Sequence, residues 1–332
     1  MPHHLDSLVD KEEECPASSL KVLNYQLIVR NVMVAQNILD IDTVSIPDKF
    51  PKACKLIQDN FPAISIKEFH DSEESFEKYT KGVCDSPSTY RLNIPVVAEN
   101  DSIEIPINSL IHNSCYLNSS PNFYDNSSNN HHLIVDLLTY PWHFLNAVQT
   151  ILRSEITRTI ISPKANVAQS SIINGPCIIE DDVIIDDFCK IIGPTYIASG
   201  SFIGMSSLVR KSMLGVNTKI GFNCDIARTY FEGHDRIAHQ NVILDSIIGK
   251  NVWFGGYSGT ANVLLDRKNV RYKISDRLVD TGTDHFGAVV GNNCAIGASV
   301  IILPGRQIPP NTVIQAGTVI GNRNLPNNKG DL

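Results

Sequence analysis

The chain has 332 residues, 42% hydrophobic and 19% charged, with a net charge of -7 and a pI near 5.8. So much apolar material supports a buried core and excludes global disorder. The acidic balance excludes proteins whose main surface must be basic, such as nucleic-acid or anionic-membrane binders.

Residues 1–20 lack a cationic start followed by an apolar stretch, so they do not read as a signal peptide. They read as a flexible N-terminus. No apolar run reaches the roughly 18 residues of a membrane span. The expected location is the cytoplasm. The eight cysteines are spread singly, without a Cys-x-x-Cys pair, and are expected to be reduced, packed thiols.

Residues 21–155 read as a reduced α/β domain. Leu27–Leu39 and Pro51–Asn60 have helical spacing, while Thr43–Ile46 and Ala63–Phe69 have strand character. Tyr90–Val97 and Ile103–Ile107 are further strand candidates. Asn113–Asn130 is rich in Asn and Ser and reads as a surface loop. His131–Leu138 then leads into a helix from about Pro141 to Arg153, with proline in its first turn.

Glycine divides the chain: of 20 glycines, only Gly82 precedes Gly175. Every sixth residue from Ile161 is aliphatic through Val209, namely Ile161, Val167, Ile173, Ile179, Ile185, Ile191, Ile197, Ile203 and Val209. The residue four places after each is mostly small. The period slips by one, resumes at Leu214, Ile220 and Ile226, frays, and returns cleanly from Val290 to Ile320. A hexapeptide period predicts a parallel β-helix over 156–324, three units to an 18-residue coil. The polar stretch 265–288 interrupts the period and reads as an external loop. Residues 325–332 form a tail.

Arg210 and Arg228 are 18 residues apart, so on this count they stack on one face at about 4.8 Å. Two guanidiniums that close need an anion between them, which suits a phosphate.

The segment from Ile220 to Val270, with the later GAVVGNNCAIGASVIILPG, resembles the acetyltransferase half of bifunctional sugar-1-phosphate acetyltransferase/nucleotidyltransferases. The resemblance covers roughly 170 residues. It is most specific in the stretch ending at His239, in Asp245–Gly249 and in Thr260–Asn262. It implies a left-handed coil, a homotrimer, and acetyl transfer from acetyl-CoA to an amino-sugar 1-phosphate in nucleotide-sugar synthesis. It implies His239 as general base, Asn262 as a second active-site residue, and Lys268 as a substrate-binding lysine. In the family a basic pair lies near Arg210 and Arg228, with its lysine falling on Ala227. Gly256, Ala298 and Ala316 match small positions along which pantetheine runs. Val242 and Trp253 stand where the family has tyrosine and asparagine. Leu137–Leu152 resembles the closing helix of the family's nucleotidyltransferase domain, yet residues 1–81 contain no glycine. A Gly-rich triphosphate loop is therefore missing, and uridylyl transfer is not expected.

Two other readings stay open. His234-x4-His239 has the spacing of two zinc ligands in a γ-type carbonic anhydrase, although a third histidine upstream is lacking. A non-catalytic regulatory or scaffold β-helix subunit is the other.

Overall fold

The computed structural model describes residues 21–22, 25–26, 43–47, 51–69, 102–106, 115–117, 132–137, 140–274 and 277–321. The expected helix at Leu27–Leu39 and strand at Tyr90–Val97 lie outside the described residues. The chain forms two compact units, which divide between His143 and Phe144.

In the first unit, Thr43–Pro47 and Ser65–Phe69 pair in parallel, joined through helix α1, Pro51–Asn60. The helix buries Cys54 and Ile57, and Ile64 is buried just beyond it. Parallel neighbours need such a crossover. A second sheet places His132–Leu137 between Ser102–Pro106 and Cys115–Leu117, both antiparallel to it. Cys115–Leu117 is thus a strand inside the stretch read as loop: its three residues pair with Val135–Leu137 despite the polar flanks.

The second unit is a parallel β-solenoid. Three eight-stranded parallel sheets form its walls. Face I runs from Ile160–Ile161 to Arg306–Ile308, face II from Asn166–Val167 to Val313–Ile314, and face III from Ile172–Asn174 to Val319–Ile320. The six-residue period is the cause. One aliphatic per short strand points inward, and Ile185, Ile203, Ile220, Ile237, Phe254, Ile296 and Ile314 stack as one buried column. Ile226, fully buried in the next column, illustrates the energetics. Ile226→Ala should destabilise by about 2–5 kcal/mol; a change below about 1 kcal/mol in urea melts would contradict a close-packed interior.

Face I is the covered wall. Its outward residues Tyr196, Met213, Tyr230, Ile247 and Val289 are buried. Helix α2, Pro141–Glu155, carries the matching apolar stripe Phe144, Val148, Ile151 and Leu152. Phe144 meets Tyr230 edge-on with centroids 4.9 Å apart, and Gln149 Nε2 donates to the Lys211 carbonyl at 2.9 Å. These contacts are why the second unit begins at Phe144, ahead of residue 156.

Coil length changes along the stack. Ile178 pairs with Tyr196, 18 residues on, but Tyr196 pairs with Met213, 17 on. The missing residue lies at the corner from face III to face I. Gly193-Pro194 fills that corner in one coil and Lys211 alone in the next. Lys211, Arg228 and Asp245 take this position successively with φ of 48°, 49° and 44°. At the fourth such position, Asn262, the chain leaves the stack. It returns at Gly287, whose N–H donates to the Asp245 carbonyl at 2.8 Å. The excursion holds an antiparallel hairpin, Arg271–Ile274 with Arg277–Asp280, anchored by buried Val270, Tyr272 and Phe286.

One carboxylate lies inside. Asp235 is fully buried at an inward corner, accepting from the Val252 and Gly233 N–H groups at 2.8 and 3.1 Å. Burial pushes its carboxyl well above the usual carboxylate range, and these two bonds only partly offset it. A raised native pKa favours folding most below the unfolded value of about 4 and progressively less as pH climbs through the native value. Thr218 and Thr312 show that threonine suits this column. Between pH 4 and pH 8, the melting temperature of the wild type should fall relative to Asp235→Thr. A difference independent of pH would refute the buried-carboxyl account.

Candidate functional site

His239 sits in the turn between faces II and III, exposed to solvent. The corner repeats along the stack through backbone bonds: Gln240 N–H to the Phe222 carbonyl, Tyr257 to His239, Ser299 to Gly256, and Gly317 to Ala298, at 2.8–3.0 Å. Phe222, His239, Gly256, Ala298 and Ala316 are therefore successive members of one edge. The structure brings four of the expected site residues into line, an imidazole followed by three positions with no side chain beyond Cβ. A methyl group at Gly256 would stand 3.3 Å from the His239 carbonyl.

The ring has a defined partner. His239 Nδ1 accepts from the Phe222 backbone N–H at 3.2 Å, so in this arrangement the neutral ring carries its hydrogen on Nε2. A residue that the sequence reading missed supports the turn. Asn241 is fully buried, its Nδ2 donates to the His239 carbonyl at 3.4 Å, and its Oδ1 accepts from Ser258 at 2.8 Å. The available signal was an amide at an inward corner held elsewhere by Cys224 and Ser258.

Asn262 is on the other edge of face III. Its Nδ2 donates to Asp245 Oδ2 at 2.5 Å, and its carbonyl accepts from Phe286. Within one chain it does not meet His239. Lys268 lies in the excursion, exposed and paired with Asp266 at 3.0 Å, which holds the Asp266 carboxyl below its usual range.

The arginine expectation is corrected. With 17-residue coils, Arg210 stacks on Ala227, and Arg228 falls one place later in the corner. Arg210 donates to both oxygens of Asp225 at 2.8 and 2.9 Å. Arg228 grips Asp245 through Nε and an Nη at 2.5 and 2.7 Å, which raises the guanidinium pKa further. Each cation has its own carboxylate, so no anion is required between them. The two histidines of the zinc reading flank strand Arg236–Ile237, His234 at the corner before it and His239 at the corner after it. They occupy different edges of the prism, and the described residues include no cluster of three or more His, Cys, Asp or Glu suited to a metal ion.

No protein-family model matches the chain. Over 115 residues it is 35% identical to the uncharacterized acetyltransferase YaiX of Escherichia coli, covering 35% of this chain and 50% of that protein. The bifunctional protein GlmU of Methanococcus aeolicus is 33% identical over 183 residues, 55% of this chain and 43% of its own length. A bifunctional sugar-1-phosphate nucleotidylyltransferase/acetyltransferase of Sulfurisphaera tokodaii is 30% identical over 181 residues, 54% and 44% of the two lengths. Among solved structures, PerB from Caulobacter crescentus, in complex with CoA and GDP-perosamine, aligns with 33% of this chain and 55% of its own. The TM-score there is 0.29 and the identity 16%. The chain spans half or less of the length of these three sequence relatives. A hexapeptide-repeat solenoid, resembling the GlmU-like bifunctional sugar-1-phosphate enzymes and bacterial acetyltransferases, is what the sequence and the fold together describe.

Proposed function

We propose that this chain is a sugar N-acetyltransferase, moving acetyl from acetyl-CoA to the amine of an amino-sugar 1-phosphate. The carrying observation is the edge on which His239 is followed by Gly256, Ala298 and Ala316. A bare edge leading to an imidazole can receive a long thin arm such as pantetheine and end it at a proton-handling group. The acetyltransferase relatives support the reaction class. In the reaction the amine nitrogen attacks the thioester carbonyl, the amine proton passes to a base, the carbon–sulfur bond breaks, and the coenzyme leaves as a thiolate that takes the proton back from the base.

His239 is the base in this reading. Its ring must then release the Phe222 N–H and turn, since that bond leaves the hydrogen on Nε2. The same bond favours a second reading, in which Nε2–H donates to the oxyanion of the tetrahedral intermediate. The solenoid is left-handed and trimeric in this proposal. A neighbouring prism then supplies the opposite edge, with Asn262 and Lys268, to the groove beside His239. The N-terminal unit carries no uridylyl transfer. Free thiol release from acetyl-CoA, measured across a panel of hexosamine 1-phosphates and nucleotide-linked amino sugars, tests the assignment. No release above hydrolysis with any of them would leave the scaffold reading.

A further inference from the structure

Face II carries an arrangement that no site residue above explains. Lys219, Arg236 and Trp253 are register partners in three successive strands, and all three are exposed. Neighbouring strands lie about 4.8 Å apart, so two cations and an indole form one continuous row on a flat wall. Trp253 leaves 51% of its surface in water, which is unusual for so large an apolar side chain.

Arg210 and Arg228 are each held by an aspartate. Among the described residues, no ion pair or hydrogen bond engages the side chain of Lys219 or Arg236. Stacking two like charges at this spacing is unfavourable without a counter-charge. The acidic chain, at -7 overall, has carboxylates to spare, yet none of the described ones pairs with this row.

The outward positions next along the same three strands are Gly221, Ala238 and Gly255. A methyl group at Gly221 would stand 2.8 Å from the Ala238 carbonyl, and one at Gly255 would stand 2.5 Å from the Ala298 nitrogen. Close approach of the next coil thus favours glycine at 221 and 255. The positions between the charged row and the edge that bears His239 therefore carry no side chain beyond Cβ.

We propose that this row docks a nucleotide bearing a diphosphate: Lys219 and Arg236 hold the phosphates and Trp253 stacks on the base. A guanidinium and an ammonium offer charge-assisted donors to phosphate oxygens. An exposed indole supplies a stacking platform that suits any base. The row rests on the acetyltransferase reading only in naming the ligand's source. That source is either the nucleotide of a nucleotide-linked amino sugar or the nucleotide end of the acyl donor. The first would change the acceptor class from a sugar phosphate to a nucleotide sugar.

Calorimetric titration of the full chain with uridine 5′-diphosphate, 3′-phosphoadenosine 5′-diphosphate, uridine and inorganic phosphate tests the row directly, without turnover. One or both nucleotides should bind more tightly than uridine or phosphate. Arg236→Ala should weaken nucleotide binding about tenfold or more. Trp253→Ala should weaken it about five- to a hundredfold, with Trp253→Phe retaining most of the affinity. A loss confined to the uridine nucleotide assigns the row to the acceptor. One confined to the adenosine nucleotide assigns it to the acyl donor. Nucleotide affinities unchanged in both alanine variants, or no nucleotide binding at all, would overturn the proposal. If acetyl transfer to sugar phosphates persists in that case, the acetyltransferase reading stands without the row.

Discussion

Replacing His239 with alanine should lower kcat by about 10²–10⁴, the range typical for loss of a positioned proton-transfer group. The affinity for acetyl-CoA should change little, since Gly256, Ala298 and Ala316 present only backbone and methyl groups to that edge. A second substitution separates the two roles of the ring. His239→Gln keeps an N–H donor at nearly the same reach but cannot accept the amine proton. If the ring is the base, glutamine should be as slow as alanine. If it donates Nε2–H to the oxyanion, glutamine should recover at least tenfold over alanine. His234→Ala should leave the rate nearly intact, because that side chain points from a different edge of the prism. Steady-state kinetics with the best acceptor would decide. A kcat unchanged in His239→Ala would remove this histidine from the chemistry altogether.

Asp245 carries the other large effect. It is 5% exposed and accepts from Arg228 and from Asn262, while its own carbonyl receives the N–H of Gly287 where the excursion rejoins the stack. Asp245→Ala would strand a half-buried guanidinium and free the Asn262 amide. Breaking a buried pair from one side costs about 3–5 kcal/mol. Here Arg228 keeps 36% of its side chain in water, so about 2–3 kcal/mol is expected after screening. The double change Arg228→Met with Asp245→Asn should regain much of that loss, because no charge is left behind and asparagine tolerates the left-handed φ of 44°. A single Asp245→Ala variant that melts like the wild type would show the pair to be idle.

The core was legible and the pairings were not, for one physical reason. An inward aliphatic every six residues is a local signal, present in each short strand whatever its neighbours do. Ion pairs across coils depend on how many residues close a turn, and that number is set at the corners. The slip at Leu214 was visible in the text. Its consequence, coils of 17 residues, moved Arg228 off Arg210 and onto Asp245. The same count hides Lys219, Arg236 and Trp253, which look unrelated until the 17-residue step aligns them. The His239 edge was reached by resemblance to a family. The tautomer, set by a backbone N–H one coil below, could not be.

The corner between faces III and I takes chain of very different lengths. It accommodates Gly193-Pro194 in one coil, single residues at Lys211, Arg228 and Asp245, and a long excursion between Asn262 and Gly287. Parallel pairing persists on either side of each change. Corners of this kind act as expansion joints: chain length varies there without altering the walls. A peptide epitope or a fluorescent domain grafted beside Lys211 should therefore be carried without loss of the fold. The opposite edge, where Gly255 and Gly297 would clash with the next coil if given a side chain, should reject the same graft.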